Sequence, residues 1–218
     1  MTNQARSFRR TVVKDTQGRY LIRFPKGYRD QLEASWPLLL FLHGAGERGR
    51  DLSAVRRHGP LADTSPDDLP CIVVAPQCGQ DDWWNPTELT ALLEVCLERY
   101  RVDMQRVYGT GISMGATGLW TWTSRIPHLI AAIAPICGRA DPLWASGLVD
   151  VPAWAIHGAG DSVIPSEQSR TIVHAIQQAG GAARLTIVSD ADHDVWTPFY
   201  SDPSFYAWLF AHENRISV

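Results

Sequence analysis

Residues 107–115 read Val-Tyr-Gly-Thr-Gly-Ile-Ser-Met-Gly, an apolar strand pattern that runs directly into a Gly-x-Ser-x-Gly turn at 111–115. A helical pattern follows over 114–125. In this context the serine sits on a tight turn with strained backbone angles, and its small neighbours let the chain pack closely. We therefore predict Ser113 as a nucleophile, although the motif alone fits an ordinary structural turn equally well.

The rest of the chain alternates between short apolar runs and amphipathic helical patterns. Residues 20–25 alternate in polarity, as an antiparallel edge strand does. The other runs are apolar throughout, which suits parallel strands covered on both faces; they are 38–43, 72–76, 107–112, 130–136, 152–157 and 185–189. Helical patterns lie between them, beginning at Pro86, Met114, Ser166 and Pro203. This order predicts an α/β fold with a mostly parallel central sheet and helices on both faces.

Residues 38–46 form an apolar strand that ends in His-Gly-Ala-Gly. A loop of this kind supplies one backbone N–H to an oxyanion hole, and the residue after the nucleophile supplies the other. We predict Ala45 and Met114 as these two donors. His43 is interpreted as a structural histidine beneath the loop, and a solvated loop is expected for the charged residues that follow, Glu47, Arg48 and Arg50.

A serine nucleophile needs a histidine base and an acid that orients it, and in this strand–turn–helix architecture the order is serine, acid, histidine. His193 lies in a loop directly after the last strand, where the active site of a parallel sheet forms. The other histidines after Ser113 lie in predicted helices or at a strand end; they are His157, His174 and His212. We therefore predict His193 as the base.

Asp161 is the preferred acid because it follows the preceding strand in its own loop. Immediate sequence neighbours of a histidine rarely aim a carboxylate at the ring nitrogen that faces away from the serine. The alternatives are Asp190, Asp192, Asp194 and, further away, Asp141.

Composition fits one domain over residues 1–218. With 20 Lys plus Arg, 23 Asp plus Glu and a net charge of -3, the chain gives no electrostatic reason to expect nucleic acid or an anionic membrane. Residues 1–10 lack the apolar run of a secretory signal, and the longest apolar stretch, 38–42, is too short to span a bilayer. We expect a soluble cytoplasmic protein; its oligomeric state stays open.

Metal and cofactor motifs are absent from the sequence: it has no H-E-x-x-H, C-x-x-C, G-x-G-x-x-G or P-loop. We therefore predict no metal and no cofactor. Cys71 and Cys78 flank a predicted strand and would stand roughly 20 Å apart, too far for a disulfide. With Cys96 and Cys137 they are expected to be buried free thiols.

The motifs at 38–49, 72–77, 106–120, 130–138, 154–165 and 193–196 together resemble the "predicted peptidase" and esterase-like branch of the α/β-hydrolases. That branch lies near phospholipase/carboxylesterases and polyhydroxybutyrate-depolymerase-like or feruloyl-esterase-like enzymes. The resemblance covers roughly residues 20–212 and implies the α/β-hydrolase fold, the triad Ser113–Asp161–His193 and the donors Ala45 and Met114. The stretch 116–118 departs from it, since a more glycine-rich sequence is expected after the turn.

Residues 138–150 leave no room for a large cap domain, so the site should be open. Four tryptophans are predicted in loops at the carboxyl edge of the sheet, where they either wall a substrate cleft or plug the rim of the core: Trp83, Trp84, Trp144 and Trp196. The sequence thus predicts a serine hydrolase of small-molecule carboxylic esters, with short-acyl or aryl and carbohydrate esters as candidates. A peptidase or amidase with the same triad, or a non-catalytic binding protein of this fold, is the alternative.

Overall fold

A computed structural model describes residues 15–214, so the predicted lack of a secretory signal at 1–10 lies outside the described residues. One seven-stranded sheet forms the centre, in the order β1-β3-β2-β4-β5-β6-β7. Its strands are β1 (Arg19–Arg23), β2 (Trp36–Leu42), β3 (Ile72–Gln77), β4 (Val102–Ile112), β5 (Ala132–Ile136), β6 (Ala153–Gly158) and β7 (Ala183–Val188). Only β1 runs antiparallel to its neighbour, as its alternating pattern predicts.

Helices cover both faces of the sheet. They are α1 (Pro86–Arg99), α2 (Met114–Thr123), α3 (Glu167–Gln178), α4 (Trp196–Ser201) and α5 (Pro203–Phe210). Local sequence fixes where several of them begin: the Asn85 side chain accepts a hydrogen bond from the Thr87 N–H, and Pro86 occupies the first turn of α1. The buried side chains divide into two clusters, one on each face of the sheet. This three-layer architecture is the one that the sequence predicts.

The order of the strands determines where a ligand-binding crevice forms at the edge of the sheet. The strand β2 lies between β3 and β4, and the chain then continues in one direction through β5, β6 and β7. In open α/β sheets the crevice outside the carboxyl ends of the strands forms where the order reverses. Because Leu42 pairs with Gly111, the loops after β2 and β4 leave the sheet side by side at this position.

Some predicted boundaries are wrong. The strand β4 begins at Val102 rather than Val107, and α4 falls in a segment that was predicted as loop. Within residues 15–214 no helix combines the length and the hydropathy needed to cross a bilayer. All four cysteines are buried free thiols, as expected. A short 3-10 helix (Pro142–Gly147) occupies the segment in which no cap domain was expected.

Candidate active site

The turn after β4 holds Ser113 in a conformation that few non-glycine residues adopt, with φ 51° and ψ −116°. Its N–H donates to the Ile136 carbonyl at 2.9 Å, which ties the turn to β5. Glycines make the turn possible: a Cβ on Gly115 would lie 1.9 Å from the Leu42 carbonyl oxygen, and one on Gly111 would lie 2.8 Å from the Gly115 carbonyl carbon. The strained serine is therefore held between two strand ends and the first turn of α2.

Three side chains from three different loops form one hydrogen-bonded chain. The Nε2 of His193 lies 2.9 Å from the Ser113 hydroxyl oxygen, and its Nδ1 lies 2.7 Å from Oδ2 of Asp161. With Nδ1–H donating to the carboxylate, Nε2 is free to accept the serine proton. The imidazole is 17% exposed and the Asp161 side chain 0%, so the ring is open to solvent while the carboxylate is buried.

The Asp161 carboxylate is held at both oxygens. Its Oδ1 accepts the backbone N–H groups of Val163 at 2.9 Å and Ile164 at 2.8 Å, while Oδ2 faces His193. Burial alone would raise the pKa of Asp161, but hydrogen bonds from His193 and the two backbone amides outweigh it and lower the pKa below the ordinary value. The carboxylate is thus kept ionised beside the imidazole.

The two predicted oxyanion donors belong to the two segments next to Ser113. Met114 is the first residue of α2, so its N–H has no acceptor inside the helix and lies at the positive end of the helix dipole. Ala45 opens a 3-10 helix (Ala45–Glu47) in the loop after β2. A Cβ on the preceding Gly44 would lie 3.7 Å from the Ser113 Cβ, which places this loop directly against Ser113.

Glu47 corrects the prediction of a solvated charged loop. Its side chain is only 5% exposed and accepts a hydrogen bond from Arg57 at 3.3 Å. The same arginine donates to the Gly46 carbonyl at 3.3 Å, and Gln77 donates to the Glu47 carbonyl at 2.9 Å. Charged side chains normally face solvent, but here the ion pair between Glu47 and Arg57 holds the loop against the protein. Arg50 is exposed, in agreement with the prediction.

His43 lies beneath the loop that carries Ala45, as its structural interpretation predicts. Its Nδ1 lies 2.6 Å from the Gly44 carbonyl oxygen, and its Nε2 accepts the backbone N–H of Cys78 at 3.0 Å. Desolvation by burial lowers the pKa of His43 to about 4, so the ring is neutral at physiological pH. A neutral ring that bridges the loops after β2 and β3 fixes the backbone next to Ser113.

The four predicted tryptophans take different places. Trp83 is 65% exposed, and with Trp84 it lines a cleft of about 930 Å³. Trp84 donates its indole N–H to the His43 carbonyl at 3.1 Å, which makes it part of the loop support. Trp144 lies in the 3-10 helix over 142–147 and Trp196 opens α4, and both pack against the core, so their placement in loops was wrong. The ring of Trp196 stands edge-on to that of His193 at 5.6 Å.

Two of the alternative acids, Asp192 and Asp141, have other partners. Asp192 accepts from the backbone N–H groups of Ser162 at 2.7 Å and His193 at 2.8 Å. Asp141 accepts the Leu143 N–H at 2.9 Å and caps a 3-10 helix. Neither carboxylate is within hydrogen-bond distance of the imidazole nitrogens. The acid next to the ring is Asp161.

One group of potential metal ligands occurs among residues 15–214. The ligand atoms of Cys137, His157 and Asp161 lie within 4.8 Å of one another and are buried. Asp161 is already hydrogen-bonded to His193, and burial raises the pKa of the Cys137 thiol to about 12, which disfavours the thiolate that a metal would need. His157 lies 3.0 Å from Asp161, a contact that the sequence did not reveal.

Known proteins resemble this chain in sequence and in structure. A thermostable esterase of solved structure is 31% identical, with a TM-score of 0.76, and the match covers 89% of this chain and 59% of that one. A bifunctional acetylxylan esterase/xylanase from Neocallimastix patriciarum is 29% identical over 144 residues, which cover 61% of this chain and 20% of that protein. A ferulic acid esterase structure is 17% identical with a TM-score of 0.66, covering 89% of this chain and 97% of that one.

These likenesses confirm the predicted fold and the predicted resemblance: the chain has the α/β-hydrolase fold and is similar to esterases of that fold. The likeness to the ferulic acid esterase, at 17% identity, is one of fold alone. The chain spans about three-fifths of the thermostable esterase and a fifth of the acetylxylan esterase/xylanase. No protein-family model matches it.

Proposed function

We propose that this chain is a serine carboxylesterase that works through a covalent acyl-enzyme, with Ser113 as nucleophile, His193 as general base and Asp161 as orienting acid. One observation carries the proposal: the hydroxyl of Ser113, both ring nitrogens of His193 and the buried Asp161 carboxylate stand in one line of hydrogen bonds of 2.9 and 2.7 Å. Nucleophile, base and orienting group within such distances are the requirement for serine activation.

In the proposed mechanism Ser113 Oγ attacks the ester carbonyl carbon while His193 Nε2 takes the hydroxyl proton. The negative oxygen of the tetrahedral intermediate accepts hydrogen bonds from the N–H groups of Ala45 and Met114, which need no reorganisation. When the intermediate collapses, the leaving alcohol receives the proton from His193. A water molecule, deprotonated by the same base, then attacks the acyl-enzyme, releases the carboxylic acid and restores Ser113.

The proposed substrate class rests on the short segment after β5 and on an aromatic cleft next to the loop after β2. The segment after β5 holds only a short 3-10 helix, and Trp83 is 65% exposed in the cleft that it lines with Trp84. This cleft is not lined by the triad itself; it adjoins the loop after β2 through Trp84, which donates to the His43 carbonyl. An open rim with an aromatic face suits flat or sugar-like groups, which stack on indole rings. We therefore propose short-acyl esters, or esters that join an aryl acid to a carbohydrate, as substrates. No cofactor has a role in this mechanism.

The deciding experiment compares hydrolysis of p-nitrophenyl acetate, butyrate and octanoate by the wild type and by Ser113→Ala at neutral pH. In a comparable triad, loss of the serine costs on the order of 10⁶ in turnover. Collapse of the turnover in the variant supports the proposal, and the chain-length profile describes the acyl pocket. Equal, slow rates in both proteins contradict it.

A peptidase or amidase with the same triad is the second candidate, because the same geometry serves amide bonds. An ester and an amide of the same acyl group separate the two, since an esterase loses most of its kcat/KM on the amide. A binding protein of this fold would react with neither. It would also resist a fluorophosphonate, which forms a bond from phosphorus to the serine oxygen as fluoride leaves and the base takes the proton.

A further inference from the structure

A second buried histidine contacts the acid of the triad. His157 is the last residue but one of β6, and its side chain is 0% exposed. Its Nε2 lies 3.0 Å from Oδ2 of Asp161, the same oxygen that faces His193, and 2.8 Å from the Ile164 carbonyl oxygen. On the other side of the ring, Nδ1 lies 2.7 Å from the Ser169 hydroxyl oxygen in α3.

These contacts define which ring nitrogen carries the proton. Nε2 faces a carboxylate and a carbonyl, which only accept, so the hydrogen resides there. Desolvation by burial lowers the pKa of His157, and the ring is therefore neutral at physiological pH. Its Nδ1 then holds a lone pair, which accepts the hydroxyl hydrogen of Ser169.

The arrangement closes a small ring around the acid. His157 donates to the Ile164 carbonyl, and the Ile164 N–H donates to Oδ1 of Asp161 at 2.8 Å. The imidazole of His157 is thus linked to both carboxylate oxygens: its Nε2 lies 3.0 Å from Oδ2, and it holds the Ile164 backbone, whose N–H donates to Oδ1. Both side chains are 0% exposed, so water does not stabilise the negative charge of Asp161 here and protein groups must do so.

We propose that His157 is a positioning residue of the triad, which as the neutral Nε2–H tautomer holds the Asp161 carboxylate in line with His193 and is itself fixed by Ser169. The inference rests on the proposed function, because it assigns a role within the same triad. His157 does not touch the substrate. A misplacement of about 1 Å in such a constellation can cost on the order of 10²-fold in rate.

The test uses His157→Leu, which removes the donor, and His157→Gln, which returns an N–H near the position of Nε2. Turnover of p-nitrophenyl acetate should fall by about 100-fold in the leucine variant with KM within about twofold of the wild type. The glutamine variant should recover to within about tenfold of the wild type. A leucine variant as active as the wild type, or a glutamine variant no better than leucine, overturns the proposal.

Ser169→Ala keeps the histidine and covers the case in which His157→Leu does not fold. We expect it to lower turnover by about tenfold, because the ring loses the partner that orients it. Its matched control is Ser65→Ala, which removes another buried hydroxyl, one that donates to the Gly59 carbonyl at 2.8 Å outside the site. Equal turnover in the two serine variants contradicts the role of Ser169. In ¹⁵N-histidine spectra of the wild type, a protonated Nδ1 on His157 would contradict the proposed tautomer.

Labelling by a fluorophosphonate separates this proposal from the proposed function. The labelling rate depends on activation of Ser113 and not on the choice of ester. If the wild type is labelled but hydrolyses no ester, the esterase proposal fails, while the order of labelling rates among wild type, glutamine and leucine variants still tests His157. A wild type that is neither labelled nor active overturns both.

Discussion

The carboxylate of Asp192 accepts the backbone N–H of Ser162 at 2.7 Å and its hydroxyl at 2.9 Å, which joins the loop of the base to the loop of the acid. The same carboxylate accepts the His193 N–H at 2.8 Å. The hydrogen bonds from Ser162 and His193 lower the pKa of Asp192. The backbone of Asp192 also packs directly against the end of β6, since a Cβ on Gly158 would lie 2.1 Å from the Asp192 carbonyl oxygen.

Asp192→Ala should therefore weaken the alignment of the Asp161 carboxylate with the His193 ring. We expect kcat for p-nitrophenyl acetate to fall by about 10- to 100-fold, with a small change in KM, since the donors that hold the oxyanion are untouched. Asp202→Ala is the matched control, because Asp202 accepts from the Ser204 N–H at 2.8 Å and from its hydroxyl at 2.6 Å at the start of α5. Equal kcat losses in the two variants would show a general loss of stability instead.

Replacement of the acid itself should be more severe. Asp161→Asn keeps the shape but allows the wrong histidine tautomer, and a comparable triad loses about 10⁴ in kcat from this change. We expect kcat of Asp161→Asn to lie at least tenfold below that of Asp192→Asn. Steady-state kinetics of both variants decide the point. A lower kcat for Asp192→Asn than for Asp161→Asn would instead favour Asp192 as the acid, one of the alternatives that the sequence allows.

Much of the site could be predicted from the sequence because its parts are local. Ser113 lies in a motif whose glycines are required by the close approach to Leu42. His193 follows from the position of its loop after the last strand. Such features depend on residues adjacent in the chain and on strand order, which periodicity reveals.

The features that the sequence did not reveal depend on contacts across the chain. His157 and Asp161 are both visible in the sequence, but their 3.0 Å contact arises only when the loop after β6 folds back on the strand end. Glu47 is expected in solvent because charged side chains are normally exposed. It is buried because Arg57, ten residues later, donates a hydrogen bond to its carboxylate. The helix α4 is only six residues long, too short for a periodic pattern.

Trp83 and Trp84 should differ in what they contribute. Trp83→Ala is expected to raise KM for an aryl or sugar ester several-fold and to leave p-nitrophenyl acetate unaffected, because this ring is 65% exposed and supports no backbone. Trp84→Ala should lower kcat for both substrates, since its indole N–H holds the His43 carbonyl beneath the loop that carries Ala45. Parallel kinetics on the two esters test this. Equal losses on both substrates in Trp83→Ala would argue against a cleft that binds the bulky group.

The turn that carries Ser113 should not accommodate a side chain at Gly115. A Cβ at position 115 would overlap the Leu42 carbonyl oxygen, at 1.9 Å, and the His43 carbonyl oxygen, at 2.6 Å. Gly115→Ala is therefore expected to lower the free energy of unfolding by at least about 2 kcal/mol and to remove activity. Gly18→Ala, where no atom lies within 4 Å of the added carbon, is the control. Urea unfolding followed by tryptophan fluorescence measures both, and equal stabilities would contradict the predicted clash.

Acid should destabilise the fold through His43 before the carboxylates are protonated. Burial lowers the pKa of His43 from 6.5 to about 4 in the folded state. As pH falls below 6.5, His43 is protonated in the unfolded chain but stays neutral in the folded protein. The free energy of unfolding therefore decreases between pH 6.5 and about pH 4. The full loss from this group is about 3 kcal/mol. His157, whose pKa burial also lowers, acts in the same direction.

Urea unfolding at about pH 7 and about pH 4.5 measures this loss in the wild type and in His43→Gln, which cannot titrate. The variant should be less stable at neutral pH, because the link from Gly44 to Cys78 is weakened, but its free energy of unfolding should change less between the two conditions. The carboxylates of Asp161 and Asp192 do not interfere, since their pKa values lie below 3.8 and their contribution is lost only in stronger acid. An equal drop in both proteins would mean that His43 is not the buried neutral group beneath the loop that carries Ala45.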